Sequence, residues 1–431
     1  MRTLRVWISV ALVALALPAS AGPIAHREVL PNGMVLLVAE RPAIPIVVVR
    51  VYVRAGSVYD PTDAGGLASL TADLLTRGTA KRTGPELDRA IEFVGGSLEG
   101  AAGQDGAAVG LSVLKKDLTL GLELLAEVLL QPVFPEAEVK RRSEEVAAGI
   151  QRSEQDPQTV AGRAMAQLLF PGHPYSRPVL GTVESVRRLT RAQVVAFHRE
   201  NYRPDGAIIS VVGDVTRDEI RRDLMARLGA WTGPTAPRPG MSQAPASPPV
   251  ESRRIERDLT QATVSLARPG IRQDHPDYFS LVAANYILGG GSTSRLYTKV
   301  REERGLAYSV YSGLGPGRYG ASYFVGLQTR LESVDEAVRL VKEEMARMGR
   351  KAVTAKELQS AKSYLIGSYP LRMDTSGKMA ALLVAVEENE LGLDWPDRFK
   401  ARISRVTAAD IKRVATTYMD PTTFSSVIVG K

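Results

Sequence analysis

The apolar positions of residues 65–79, GGLASLTADLLTRGT, fall at Leu67, Leu70, Leu74 and Leu75. That i, i+3, i+7, i+8 spacing predicts an amphipathic helix. Its opposite face carries Ser69, Ala72, Asp73 and Thr76, an oddly bare set for an outer surface. Upstream, REVLPNGMVLLVAE joins two apolar stretches through Asn32–Gly33, which predicts a β-hairpin. IPIVVVRVYVRAG follows as a strand leading to the helix. Beyond it the pattern predicts a helix over about 84–94, strands within 97–114, and helices over about 117–130 and 136–155. GAIISVVGDV, residues 206–215, reads as a further strand.

Two segments lack this periodicity. Residues 232–250, TGPTAPRPGMSQAPASPPV, are dense in Pro, Ala, Ser and Gly and read as a linker. The first 21 residues combine Arg2 and Arg5, the apolar run VWISVALVALAL, and Ala19 and Ala21 flanking Ser20. A basic start, an apolar centre and a small-residue end predict a signal peptide. The run of about 12 apolar residues is too short to span a bilayer, so the expected protein is exported, periplasmic in a bacterium, without stable membrane insertion.

The two halves resemble each other in their last segments. LTRAQVVAFHRENYRPDGAIISVVG ends at Gly213 and VTAADIKRVATTYMDPTTFSSVIVG at Gly430. At a constant offset of 217, Thr190 meets Thr407, Pro204 meets Pro421, and Val212–Gly213 meets Val429–Gly430. Both read as a Thr N-cap, a helix, a turn and a buried strand. The expected organisation is a signal peptide at 1–21, an N-terminal domain at 22–231, a linker at 232–252 and a homologous C-terminal domain at 253–431. Each is expected to be an α+β domain. A length of 431 residues suits two domains better than one core.

Composition narrows the chemistry. The absence of cysteine excludes disulfides, cysteine catalysis and thiolate metal ligands. A net charge of +8 falls to +6 without Arg2 and Arg5, and it is spread along the chain. That gives no nucleic-acid footprint. The histidines, His26, His173, His198 and His275, show no pairing at helical spacing, and neither HxxEH nor HExxH occurs. His173, in a Pro/Gly turn, is expected to have a structural hydrogen-bonding role, and His198 to be a surface or partly buried helix residue. No G-x-S-x-G is present. LGGGSTSRLY, 288–297, lacks phosphate-loop spacing and reads as a tight turn into a helix capped by Ser292 or Ser294. In SRLYTKVREERGLAYSVYSG, Arg301 near a helix end and Tyr308 at a strand start are placed to converge across a turn. Both can donate to a peptide carbonyl. On chemistry alone, a surface arginine and a packed tyrosine describe them better.

These segments together resemble the pitrilysin, insulysin and mitochondrial-processing-peptidase family of zinc peptidases, the inverzincins, over nearly the whole mature chain. GSVYDPTDAGGLASLTADLLTRGT resembles the active-site segment, typically G-L-A-H-x-x-E-H-M-L-x-x-G-T, and RRSEEVAAGIQRSEQDP resembles the helix supplying the third zinc ligand. LLFPGHPYSRPVLGTVESVRRLT and ILGGGSTSRLYTKVREERGLAYSV match in kind and order. The resemblance implies two homologous domains, each a mainly antiparallel sheet covered by helices, forming half of a clamshell.

The departures matter as much. Where the family places its two histidines and catalytic glutamate, this chain has Ser69, Ala72 and Asp73, and Gly149 stands at the third-ligand position. Asn-Ala, common in the following strand, is replaced by Glu99–Gly100. One carboxylate does not hold zinc tightly and an alanine is no base, so no catalytic residue and no zinc are expected on this chain. Arg301 and Tyr308 match the family's substrate-binding pair. The resemblance therefore implies a non-catalytic subunit of a heterodimeric zinc peptidase. A zinc-bearing homologous subunit would be its partner and unfolded peptides its substrates. A peptide-binding or structural homodimer is the alternative.

Overall fold

The computed structural model describes residues 23–234 and 240–431. The expected signal peptide and residues 235–239 of the expected linker lie outside these residues. In the first half, β1 (His26–Val29), β2 (Val35–Glu40) and β3 (Ile46–Val53) precede α1 (Leu67–Leu74) and α2 (Gly84–Phe93). Then come β4 (Ser97–Ala102), β5 (Ala107–Leu114), α3 (Leu118–Leu130), α4 (Glu136–Ser153) and α5 (Pro157–Leu169). The half closes with α6 (Val183–Arg187), α7 (Arg191–Asn201), β6 (Ile208–Gly213) and α8 (Arg217–Leu228).

The second half runs β7 (Ser252–Ile255), β8 (Gln261–Pro269), α9 (Tyr278–Gly289), β9 (Ala307–Gly315) and β10 (Ser322–Arg330). It continues with α10 (Val334–Arg350), α11 (Ala355–Gly367), α12 (Ser376–Glu388), α13 (Trp395–Arg405), α14 (Ala408–Tyr418) and β11 (Ser425–Val429). Among the described residues no helix is long and apolar enough to cross a membrane.

Each half holds one sheet. The first has the order β1-β2-β6-β3-β5-β4 and the second β7-β11-β8-β10-β9. Among the described residues, β2–β6 and β7–β11 pair in parallel and the other strand pairs are antiparallel. The two parallel pairs occupy equivalent places, and so do the edge strands β4 and β9. The sequence offset carries α7 onto α14, and both begin with a reciprocal Thr capping box, at Thr190 and Thr407. Both halves are therefore mixed α/β domains of one topology.

The halves exchange a helix. α5 buries Ala161, Ala164, Met165, Leu168 and Leu169 with Ala267, Val427 and Val429 of the second sheet. Reciprocally, α12 buries Met379, Ala380, Leu383 and Val384 with Leu37, Ala39, Ile208 and Val212 of the first sheet. Each sheet thus carries its own helices on one face and a borrowed helix on the other. Two-sided cover explains why every residue of β6 is buried and why the strand reads as a continuous apolar run. Polar groups reinforce the junction. Ser210 Oγ donates to the Ala380 carbonyl at 2.9 Å, Arg27 pairs with Glu387, and Tyr52 donates to Glu388.

One expectation is corrected. The face of α1 opposite its leucines is not an outer surface: Ala72 is fully buried and Thr76 nearly so. The helix is wedged between β4, α4 and α7, so it has almost no solvent side.

Candidate functional site

The start of α1 is fixed by two neighbours. Gly66 takes φ +96°, and a Cβ there would stand 2.6 Å from the Leu180 carbonyl, so only glycine fits. Asp60 accepts the Gly66 and Ala68 N–H groups at 2.9 and 2.8 Å, satisfying two donors of the helix terminus. Burial pushes the Asp60 carboxyl up to about 6, against those two bonds, which favour the anion.

This frame presents residues that do not suit a metal. Ala72 is buried against β4, where a Cβ at Gly100 would lie 2.2 Å from the Ala72 carbonyl. Ser69 and Asp73 are half-buried. Asp73 receives a two-pronged ion pair from Arg142 on α4, at 2.6 and 2.7 Å. Arg142 also pairs with Glu145. Gly149, expected at the third-ligand position, lies two turns further along α4, where a Cβ would meet nothing within 4 Å. The zinc of the family resemblance therefore does not fit: the one carboxylate is held by a guanidinium, and a cation would be repelled by that charge. Among the described residues no three His, Asp or Glu side chains are grouped to hold a metal.

The second cluster is on the other sheet. Ser294 Oγ accepts the Tyr297 N–H at 3.4 Å and caps the turn after the glycine run, the later of the two serines named above. Arg295 anchors that turn through two bonds to Glu357 of α11, at 2.7 and 3.2 Å. Burial pushes the Glu357 carboxyl up, but Arg295 and the Thr354 N–H outweigh it and hold it at about 2. Tyr297–Glu302 then adopt a π-helical turn, a wide coil that recurs at functional sites.

Arg301 projects from this turn. It donates to Tyr297 Oη at 2.6 Å and lies over the Tyr297 ring, 4.7 Å from its centroid. It also lies over the Tyr308 ring, 5.8 Å from its centroid. The structure thus brings Arg301 and Tyr308 together and adds Tyr297. Sequence reasoning passed over Tyr297, although its i, i+4 spacing to Arg301 on a helix was the available signal.

Tyr308 occupies an irregularity of its own. In the β9–β10 ladder Ala307 pairs with Thr329 and Ser309 with Gln328, leaving Tyr308 as the extra residue of a β-bulge. Bulges re-aim side chains at sheet edges, and Tyr308 is 76% exposed on the edge strand β9. An exposed guanidinium between two phenols, beside unpaired strand edge groups, can donate to carbonyl oxygens of an extended chain.

His173 and His198 have structural partners. His173 accepts the Tyr175 N–H and reaches the Ser242 carbonyl. His198 Nε2–H donates to the Leu129 carbonyl at 3.0 Å.

Comparison with known proteins places these features in a family. Residues 35–183 match the family model described as insulinase, peptidase family M16, and residues 188–365 match the peptidase M16 inactive domain. An uncharacterised zinc protease of Mycobacterium leprae is 28% identical over 90% of this chain and 88% of its own length. One from Bacillus subtilis is 24% identical over 89% of this chain and 92% of its own. A peptidase M16 inactive domain from Pseudomonas fluorescens superposes with a TM-score of 0.89 at 29% identity, covering 94% of this chain and 97% of that one. A protease from Helicobacter pylori shares the fold, with a TM-score of 0.87 at 19% identity, over 94% and 99% of the two chains. The chain belongs to the M16, or insulinase, family of peptidases.

Proposed function

We propose that this chain is the non-catalytic, peptide-binding subunit of an exported zinc peptidase. It works opposite a homologous subunit that carries the zinc and the general base. The observation that carries this reading is a contrast between two sites. At the metal positions the chemistry has been replaced by the Asp73–Arg142 pair, a buried Ala72 and the side-chain-free Gly149. At the edge of the second sheet Arg301 remains exposed and framed by Tyr297 and Tyr308.

In this role an unfolded peptide adds as an extended strand, and its main chain supplies the affinity. Arg301 and Tyr308 donate to a substrate carbonyl, positioning it or stabilising the oxyanion formed when the partner's water attacks. This chain supplies neither nucleophile nor metal. The test is reconstitution with an HxxEH-bearing relative from the same organism. The expected result is a one-to-one complex by light scattering that hydrolyses an unfolded peptide far faster than either chain alone. A homodimer that never associates with such a relative, with no gain of activity on mixing, contradicts the proposal.

A further inference from the structure

A cleft of about 290 Å³ opens between the borrowed helix α5 and strands β8 and β10 of the second sheet, with Tyr311 of β9 at its side. Gly162, Met165 and Leu169 line it from the helix, and Tyr311, Phe324 and Gly326 from the sheet. Tyr311, Phe324 and Gly326 contribute to its floor; across the strands Tyr311 pairs with Gly326, and Phe324 with Gly313, which does not line the cleft. A Cβ at Gly326 would lie 2.8 Å from the Tyr311 ring, and one at Gly313 2.6 Å from the Phe324 ring. Each ring therefore rests on a glycine of the neighbouring strand. The two rings meet edge to face at 6.2 Å. On the helix side, nothing lies within 4 Å of a Cβ built at Gly162, so the wall there is open.

The cleft communicates with the Arg301 cluster along β9. Ser309 and Tyr311 pair with Gln328 and Gly326, which line the cleft, whereas Ala307 and Val310 belong to the core on the other face. The bulge resets this alternation, so Tyr308 joins Ser309 and Tyr311 on the cleft side of the strand. Tyr308 and Tyr311 stand about 10 Å apart along an extended chain, three residues. The cleft is smaller than most ligand pockets, which run to roughly 300–1,000 Å³. That leaves room for one large side chain rather than a whole small molecule.

We infer that the cleft between α5 and β9–β10 receives one large apolar side chain, aromatic or of leucine size, from a peptide extended along β9. The chain then selects unfolded peptides by an apolar residue about three positions from the carbonyl held by Arg301. This deepens the peptide-binding reading above and rests on it.

The probe is a fluorescein-labelled decapeptide of Ser and Thr with one central Phe, compared with its Ala twin by anisotropy titration of the full chain. The Phe peptide is expected to bind at least about fivefold tighter. Gly162→Leu, which fills the open wall, and Tyr311→Ala, which removes the floor at a part-exposed position, are each expected to erase that preference. Arg301→Ala is expected to weaken both peptides by the same factor and leave their ratio unchanged. Equal affinities, no binding of the Phe peptide, or a preference that survives Gly162→Leu overturns the cleft assignment. A preference that persists while Arg301→Ala changes neither affinity supports the cleft and counts against Arg301 as the carbonyl donor.

Discussion

At residue scale, the positions where the family resemblance expects metal ligands are taken up by other interactions. Asp73, expected at the position of a family histidine, is held from α4 by Arg142, so an ion pair links the two helices. With both partners about one-third exposed, that pair contributes on the order of 1 kcal/mol or less. It is a modest cross-link. The neighbouring Ala72 has changed more deeply, because its surroundings have closed: it is fully buried and its carbonyl faces the glycine of β4. Ala72→Glu, which restores the catalytic residue type, is therefore expected to destabilise the chain by roughly 3 kcal/mol or more. Urea unfolding measures this; an unchanged midpoint would show that the pocket is still open. The residue types at positions 69, 72, 73 and 149 are read directly from the sequence. The Arg142 pairing is not, because it joins positions 69 residues apart.

At the scale of elements, the hairpin, the strands and the helices up to α4 were legible, because periodicity and turn chemistry are local. Two features escaped the pattern. The bulge at Tyr308 is a property of register with β10, and the π-helical turn under Arg301 depends on anchors such as Arg295–Glu357. Both put side chains where alternation alone does not. His198 shows how an element contact becomes a pH response. Burial between α7 and α3 lowers its pKa from 6.5 to about 4, although the bond to the Leu129 carbonyl works the other way. The unfolded chain therefore takes up the proton first. The stabilisation is complete above about pH 6.5 and is lost as pH falls toward about 4, up to about 3 kcal/mol. His198→Gln is expected to flatten that decline in urea midpoints taken across the window. Identical slopes for both proteins would exclude the histidine as the cause.

At the scale of the whole molecule, the duplication was readable as a constant offset of 217 residues. The helix exchange was not: the apolar stripe of α5 records that a face is buried, without recording against which sheet. The exchange makes each sheet depend on the other half for cover on one face. Equilibrium unfolding of the full chain is accordingly expected to be a single cooperative transition, coincident by circular dichroism and tryptophan fluorescence. Two separated transitions would mean that the halves are independent. The same coupling gives the two edge strands a fixed relation. Asp105 at the β4–β5 turn accepts from Tyr175 and from the Arg318 N–H at the β9–β10 turn, tying the two hairpin tips together. The chain thus presents the Arg301 edge on a frame tied across both halves, as the proposed positioning role requires. The most direct measurement of that role is peptide hydrolysis by the reconstituted complex in which only this chain is varied. Arg301→Ala and Tyr308→Phe are expected to leave the complex assembled and its zinc content unchanged. Arg301→Ala is expected to lower kcat by roughly 10²-fold, the scale of losing an oxyanion donor, with a smaller loss for Tyr308→Phe. Full activity in an assembled complex carrying both substitutions would contradict the account.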